Sequence, residues 1–258
     1  MLPDQRYQRI RALLANFQQV STDRIATDLD VSRETVRRDV AVLESLGELR
    51  RIHGGIKRPE PEPESPLDVR AKAYCNEKRA IVRAAAKLLH PGQAVFIDAG
   101  STVSLLADEL TSLRGLTIIT NSFDVGLKLS APDGQGQQRH CVHVLGGRPT
   151  VSIAANYGDA TVAEVMRWRV DWAMLSPVGI TADQGASSYE PAEALLARAM
   201  STQARHTVIL ADHSKIGQSS RVSFCSVDKI YQLITNKRAQ HLAHLATLRD
   251  AGCKVVLA

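Results

Sequence analysis

Residues 57 to 68 read KRPEPEPESPLD, and no other stretch limits the folds open to this 258-residue chain as firmly. Pro59, Pro61, Pro63 and Pro66 fall within eight positions and alternate with glutamates. Proline lacks a backbone N–H and fixes φ, so such a run cannot be a helix interior and favours extended backbone. The segment is expected to be a semi-rigid spacer, with a surface loop inside one domain as the other reading. The expected division is a small unit at residues 1–57, the spacer at 58–68 and a larger unit at 69–258. A hydrophobic content of 44% is ample for packed cores.

Ahead of the spacer the apolar residues recur at helical spacing. Ile10, Leu13, Leu14 and Phe17 mark one helix face. Thr22 is expected to cap a short helix carrying Ile25, Ala26 and Leu29, and Asp30-Val31 to form a tight turn. Ser32 then caps a third helix, whose core stripe is Val36, Val40, Leu43 and Leu46 and whose stop is Gly47. Residues 48 to 56, with Leu49, Ile52 and the Gly54-Gly55 pair, are expected to form a small β-wing.

With that stripe turned inward, Glu34 and Arg38 face outward, Arg37 lies on the flank, and Ser32, Arg33 and Thr35 occupy the first turn. A helix enters the DNA major groove with its N-terminal positions, where arginine offers guanine a bidentate fork and Ser or Thr suits phosphates and base edges. Arg50 and Arg51 open the wing and His53 sits near its tip, placed to meet phosphates. The bland reading of two arginines on an amphipathic helix is a solvated face. The helix, tight turn, capped Arg-rich helix and basic wing in succession favour a winged helix-turn-helix. Net charge to Arg58 is only +3, eleven basic against eight acidic residues, so base contacts and dimerisation must supplement electrostatics.

The strings SRETVRRD (32–39) and LESLGELRRIHGG (43–55) resemble the DeoR family of bacterial regulators, and the resemblance runs through Glu77-Lys78 into the larger unit. Departures are small: Ile25 stands where leucine is usual, and NFQQ precedes Val20 where a glycine-containing turn is common. The resemblance implies repression of a carbohydrate or polyol operon through duplex operator DNA, by a homo-oligomer.

After the spacer, short apolar strands alternate with helices, which argues for an α/β domain with a mostly parallel sheet covered on both faces. Ligands of such sheets bind beyond the carboxyl ends of the strands. Polar motifs fall there: Asp98-Ala99-Gly100-Ser101-Thr102, Thr120-Asn121-Ser122, Gly146-Gly147-Arg148, and Asp212-His213-Ser214-Lys215. A helix N-terminus flanked by hydroxyls favours an anion, and Lys215 adds a cation. Singly, each motif reads as an ordinary turn; their convergence suggests a cradle for phosphate and hydroxyls. They are similar to the DSGTT, TNS, GG and D-S-K motifs of DeoR-type sensors, which share a fold with ribose-5-phosphate isomerase. That resemblance implies a phosphorylated sugar-type effector held by Asp98, Gly100, Ser101, Thr102, Asn121, Gly146, Gly147 and Lys215, beside Thr120 and Asp212 from the strand-end reading. Ala99 replaces a serine and Ser101 a threonine of the family pattern, and Pro177 stands where a small residue is common.

Catalysis is the rival. Family isomerases carry an acidic D-G-A-D-E stretch for proton transfer, whereas the comparable strand end reads LSPVGI, with no carboxylate before Asp183. Asp98 and Asp212 are then hydroxyl acceptors or caps, and no catalytic residue is expected. A purely architectural DNA-binding protein would leave the α/β unit without a role. Strand alternation sets Cys141 opposite His140 and His143, which argues against a zinc site, so neither metal nor cofactor is expected. Cys75, Cys141, Cys225 and Cys253 lie far apart and are expected to be reduced, buried thiols. An N-terminus without a signal-peptide pattern, and no apolar run of membrane-spanning length, fit a cytoplasmic chain.

Overall fold

A computed structural model describes residues 2–17, 19–46, 48–57 and 64–258. Most of the spacer, residues 58–63, and the expected helix stop Gly47 lie outside the described residues. The chain divides into two compact units, residues 1–61 and 62–258.

In the first unit, helices α1 (Pro3–Asn16), α2 (Thr22–Leu29) and α3 (Arg33–Ser45) pack with strands β1 (Gln19–Ser21), β2 (Arg50–Ile52) and β3 (Gly55–Lys57). Ile10, Leu14, Ile25, Leu29, Val36, Val40, Leu43, Leu49 and Ile56 pack into a shared core. Ser21, not Thr22, caps α2 by accepting the Arg24 N–H, and Asp30 at φ 52 makes the turn into α3. Leu46 is 50% exposed and drops out of the α3 stripe; Phe17 is 40% exposed, with the Arg24 guanidinium stacked on its ring. Strand β1 was not legible in the sequence: it pairs antiparallel with β3 and completes the three-stranded wing. That pairing explains the Gly-Gly signature. Gly54 turns the hairpin at φ 78, and a Cβ on Gly55 would come within 2.4 Å of the Val20 carbonyl.

The second unit opens with α4 (Leu67–Lys72), so Leu67 and Asp68, expected in the spacer, are helical. Proline is tolerated ahead of a helix, and Pro66 is the residue before this one. There follow α5 (Cys75–Ala86), β4 (Ala94–Ile97), α6 (Ser101–Leu110), β5 (Thr117–Thr120), α7 (Phe123–Ser130), β6 (Cys141–Val144) and the hairpin β7 (Arg148–Thr150) to β8 (Ala155–Tyr157). Next come α8 (Asp159–Val165), β9 (Val170–Leu175), β10 (Gly179–Thr181), β11 (Gly185–Ser188), α9 (Pro191–Gln203) and β12 (Ala204–Leu210). The chain ends with β13 (Val222–Cys225), β14 (Ile230–Thr235), α10 (Ala243–Asp250) and β15 (Val255–Leu257).

Seven strands form one parallel sheet in the order β15-β14-β12-β9-β4-β5-β6. Alternate residues feed two cores. Val95, Ile97, Ile118, Met174, Val208 and Ile234 pack under α5, α6 and α7, while Phe96, Ile119, Ala173, Leu175, Ile209 and Leu233 pack under α9 and α10. Strands β4, β5 and β6 step outward one way and β9, β12, β14 and β15 the other, so strand order reverses between β4 and β9. The antiparallel sheet β10-β11-β13 has no alternating apolar signature and was not foreseen. No described helix is long and apolar enough to cross a membrane. Cys225 and Cys253 are buried, and burial raises both thiol pKa values, Cys253 to about 11. Cys141 is exposed and Cys75 half-buried, against expectation.

Candidate functional site

On α3, Ser32 Oγ accepts the Thr35 N–H at 3.2 Å, which sets the helix start where the sequence placed it. Glu34, Arg37 and Arg38 are exposed beyond that cap. Arg33 pairs with Asp23 at 2.6 Å and Arg38 with Glu34 at 3.5 Å; in the wing, Arg51 pairs with Glu44 at 2.5 Å. Such exposed pairs contribute little to stability, so each arginine can exchange its carboxylate for a phosphate or base edge at small cost. Arg50 and His53 are exposed on the wing. All nine sequence-selected residues of this unit therefore lie on α3, its cap or the wing. Asp39, the last residue of the SRETVRRD string, turns inward instead and accepts a two-pronged bond from Arg6 of α1 at 2.6 and 2.9 Å.

The second unit gathers three of its four polar motifs where strand order reverses, around Asp98, Asn121 and Asp212. Asp98, just past β4, accepts the Ser176 N–H, just past β9, at 3.3 Å. The other Asp98 oxygen, Oδ1, is buried with no hydrogen-bond partner. Burial raises the Asp98 pKa well above the ordinary carboxylate range, and the nearby Glu193 and Glu64 charges add to it. Gly100 precedes α6, and a Cβ there would stand 2.8 Å from Ser176 Oγ. Two cavities adjoin this point. One, of about 160 Å³, is lined by Ser101 and Thr102 at the start of α6, by Tyr74, Lys78, Asp212 and Lys215, and by Glu64 and Arg70. The other, of about 30 Å³, is lined by Asp98, Asn121, Tyr157, Ser188 and Glu193.

Lys78 is buried, and its Nζ donates to Ser101 Oγ at 3.0 Å and to the Arg70 carbonyl at 2.6 Å. Burial is the main reason its pKa falls, an effect that Asp212 opposes and Lys215 reinforces. An anion at the head of α6 would meet Lys78, Lys215, two hydroxyls and free helix N–H groups together. Glu193 in the smaller cavity has its pKa pushed up to about 7, first by burial and then by Glu64. Asp212 caps the turn that carries Lys215, accepting from Ser214 N–H and Oγ at 2.9 and 2.6 Å.

Three sequence-selected positions serve elsewhere. Thr120 is fully buried, and its hydroxyl oxygen accepts the Ser122 N–H at 3.0 Å. The Gly146 N–H bonds Glu164 at 2.9 Å, and Gly147 packs against Thr161, so this pair seats α8 and lines neither cavity. His140 lies outside β6, buried between Leu110 and Leu116, and against expectation Cys141 and His143, two residues apart in β6, share a strand face, with Cys141 Sγ 3.4 Å from His143 Nε2.

Reasoning from sequence missed Glu64, Arg70, Tyr74, Lys78, Tyr157 and Glu193. Two of these had a signal. Lys78 stands on the apolar stripe of Ile81, Val82 and Ala85, and Glu193 on that of Leu196, Ala197 and Met200. A charge on a buried stripe asks for a reason. Tyr74 adopts a left-handed conformation at φ 54, which no local sequence pattern announces for a tyrosine.

A winged helix-turn-helix joined to an α/β unit with a polar site at the switch point defines a DNA-binding transcription regulator with a sensor domain. Residues 6–62 match the DeoR-like helix-turn-helix domain and residues 74–237 the DeoR C-terminal sensor domain. The chain belongs to the DeoR family. It is 32% identical to the HTH-type transcriptional repressor GlcR of Bacillus subtilis, over 92% of this chain and 90% of that one. It is 29% identical to the glycerol-3-phosphate regulon repressor of Haemophilus influenzae, over 98% and 96%. Among solved structures, ribose 5-phosphate isomerase A of Methanocaldococcus jannaschii matches at 18% identity and a TM-score of 0.37, over 54% of this chain and 52% of that one. The full-length sorbitol operon regulator SorC of Klebsiella pneumoniae matches at 12% identity and a TM-score of 0.37, over 88% and 94%.

Proposed function

We propose that this regulator is a cytoplasmic homo-oligomer that represses a carbohydrate or polyol operon and is modulated by a phosphorylated sugar-type effector held at the switch point. One observation carries the effector reading: buried Lys78, with Lys215, faces the hydroxyl-rich start of α6, while beside them Asp98 keeps a buried, unpartnered oxygen. The cations suit a phosphate, and Asp98, Asn121 and Glu193 suit the hydroxyls of the attached carbon chain. Ser32, Arg33, Glu34, Thr35, Arg37, Arg38, Arg50, Arg51 and His53 are the proposed DNA-contacting residues. A two-fold oligomer would present two such helices about 34 Å apart, or a multiple of that, along one face of the duplex. Effector binding alters operator affinity to the extent that it prefers one arrangement of the DNA-binding units.

Thermal-shift screening of the full chain against phosphorylated sugars and polyols tests the reading. A ligand at 100 times its Kd stabilises by about 2.7 kcal/mol, and the unphosphorylated counterpart should give no shift. Equal shifts from both forms would remove the phosphate site.

Glu193 supports a second reading, since a carboxylate with a pKa of about 7 beside Asp98 suits proton transfer between adjacent carbons. Asp183 lines neither cavity, so it offers that reading nothing. We place Glu193 as a ligand-hydroxyl partner. Incubating the chain with aldose and ketose phosphates and finding no interconversion supports this; turnover that Glu193→Gln abolishes would make the protein an enzyme.

A further inference from the structure

We propose that Glu64, at the sensor end of the spacer, is the anion site's own occupant, and that the effector must be a phosphomonoester because it has to displace this carboxylate. The inference rests on reading Lys78 and Lys215 as the phosphate cradle.

Glu64 spends both carboxylate oxygens on the site's cations: Oε1 lies 3.2 Å from Lys215 Nζ and Oε2 lies 2.9 Å from an Arg70 guanidinium nitrogen. Arg70 completes the clasp by donating from Nε to the Ser65 carbonyl at 2.8 Å. The three side chains are 16 to 24% exposed, so the pairs are partly shielded from water and geometrically fixed. Glu64 also divides the site. With Arg70 and Ser176 it lines both the 160 Å³ and the 30 Å³ cavity. Drug-sized ligands occupy roughly 300 Å³ or more. Swinging Glu64 out opens the partition it shares with Arg70 and Ser176, between one cationic space and one rich in acceptors, as a sugar phosphate requires.

The exchange is chemically matched. A carboxylate brings one negative charge and two acceptor oxygens. A phosphate monoester near neutral pH brings close to two charges and three oxygens, and it adds bonds to Ser101, Thr102 and the α6 N–H groups that Glu64 does not make. A neutral polyol offers Lys215 and Arg70 hydroxyl acceptors but no negative charge, so it does not compensate the two ion pairs lost when the clasp breaks. Glu64 also raises the pKa of Glu193 and of Asp98, so both carboxylates sense the charge of whatever occupies the clasp. Because Glu64 belongs to the segment that leads into the spacer, its release frees that segment from the sensor.

A tethered carboxylate competes at an effective concentration in the millimolar range, so removing it should tighten anion binding by about tenfold. The test is calorimetric titration of inorganic phosphate into the full-length wild type, Glu64→Gln, Glu64→Ala and Lys215→Ala proteins, with hydrogen exchange of residues 64–72 followed in the wild type. Expected are tighter phosphate binding in both Glu64 variants, loss of binding in Lys215→Ala, and faster exchange across 64–72 when phosphate is added. Unchanged or weaker binding in both Glu64 variants, with Lys215→Ala still losing it, overturns the competition and leaves the cradle standing. Slower exchange of 64–72 on adding phosphate overturns the displacement. If no variant binds phosphate, or if Lys215→Ala binds as the wild type does, the inference falls together with the cradle.

Discussion

Asp98 and Ser176 meet across the reversal of strand order: the Ser176 N–H, at the end of β9, donates to Asp98 Oδ2, at the end of β4, at 3.3 Å. One oxygen of the carboxylate thus locks the two halves of the sheet together, and the other is left buried without a partner. A polar atom in that position costs stability until a donor arrives, so Asp98 combines a structural bond with an unpartnered buried acceptor.

Asp98→Asn separates these roles. It removes the burden of a buried acid, so the free protein should melt no lower than the wild type. It also swaps an acceptor for a donor at one oxygen, so affinity for whichever sugar phosphate shifts the melt should fall roughly ten- to hundredfold, by the desolvation penalty of one mispaired group. Calorimetry with that ligand and with inorganic phosphate checks both halves; phosphate affinity should hold. Equal losses for both ligands would place Asp98 in the phosphate cradle.

Glu193 predicts a pH dependence. Its pKa rises from 4.5 to about 7 on folding, so the folded state holds the proton more tightly. The stability this confers is fully present below about 4.5 and is lost as pH climbs through 7. Taken at face value the shift amounts to roughly 3 kcal/mol between those limits, and it should vanish in Glu193→Gln. Denaturant melts of both proteins from pH 5 to 8 measure the difference; parallel curves would exclude the burial of this acid.

Arg38→Ala should weaken binding to the chain's own operator by roughly ten- to hundredfold and relax preference at one base position. Arg50→Ala, on the wing, should weaken binding to all sequences alike and reduce its salt dependence. Fluorescence anisotropy across a salt series distinguishes them. An Arg38→Ala protein with wild-type affinity would return that side chain to the solvated face of α3.

Gly55→Ala tests the wing. The added methyl would press on the Val20 carbonyl, which approaches to 2.4 Å, so β1 must separate from β3. A loss of roughly 2–3 kcal/mol in the first unit is expected, with DNA binding lost at temperatures where the second unit still melts normally. Gly54→Ala, which meets nothing and suffers only its positive φ, should cost less.

What could be read in advance follows from how far each signal reaches along the chain. The Ser32 cap, the Val36–Val40–Leu43 stripe and the runs of buried β-strand are local patterns, and local periodicity is enough to place them. Strands β10, β11 and β13 escape because Gly179, Ser187 and Ser188 become strand residues only by packing beneath the rest of the unit. Gly146 and Gly147 looked like a phosphate turn, yet their small size serves the approach of Thr161. Thr120, likewise in a correctly located strand-end motif, spends its hydroxyl on its own turn.

The amino-acid order alone determined two units, a helix-turn-helix with its wing, and a parallel sheet whose strand ends carry hydroxyls, glycines and a lysine. Tertiary structure decided which of those ends share a site, and it brought in Glu64, Arg70, Lys78 and Glu193 from helices and a spacer end well removed in sequence. The physical reason is that caps and periodicity act over a few residues. The charge balance of a buried site, by contrast, depends on which groups the folded sheet brings within a few ångströms of one another.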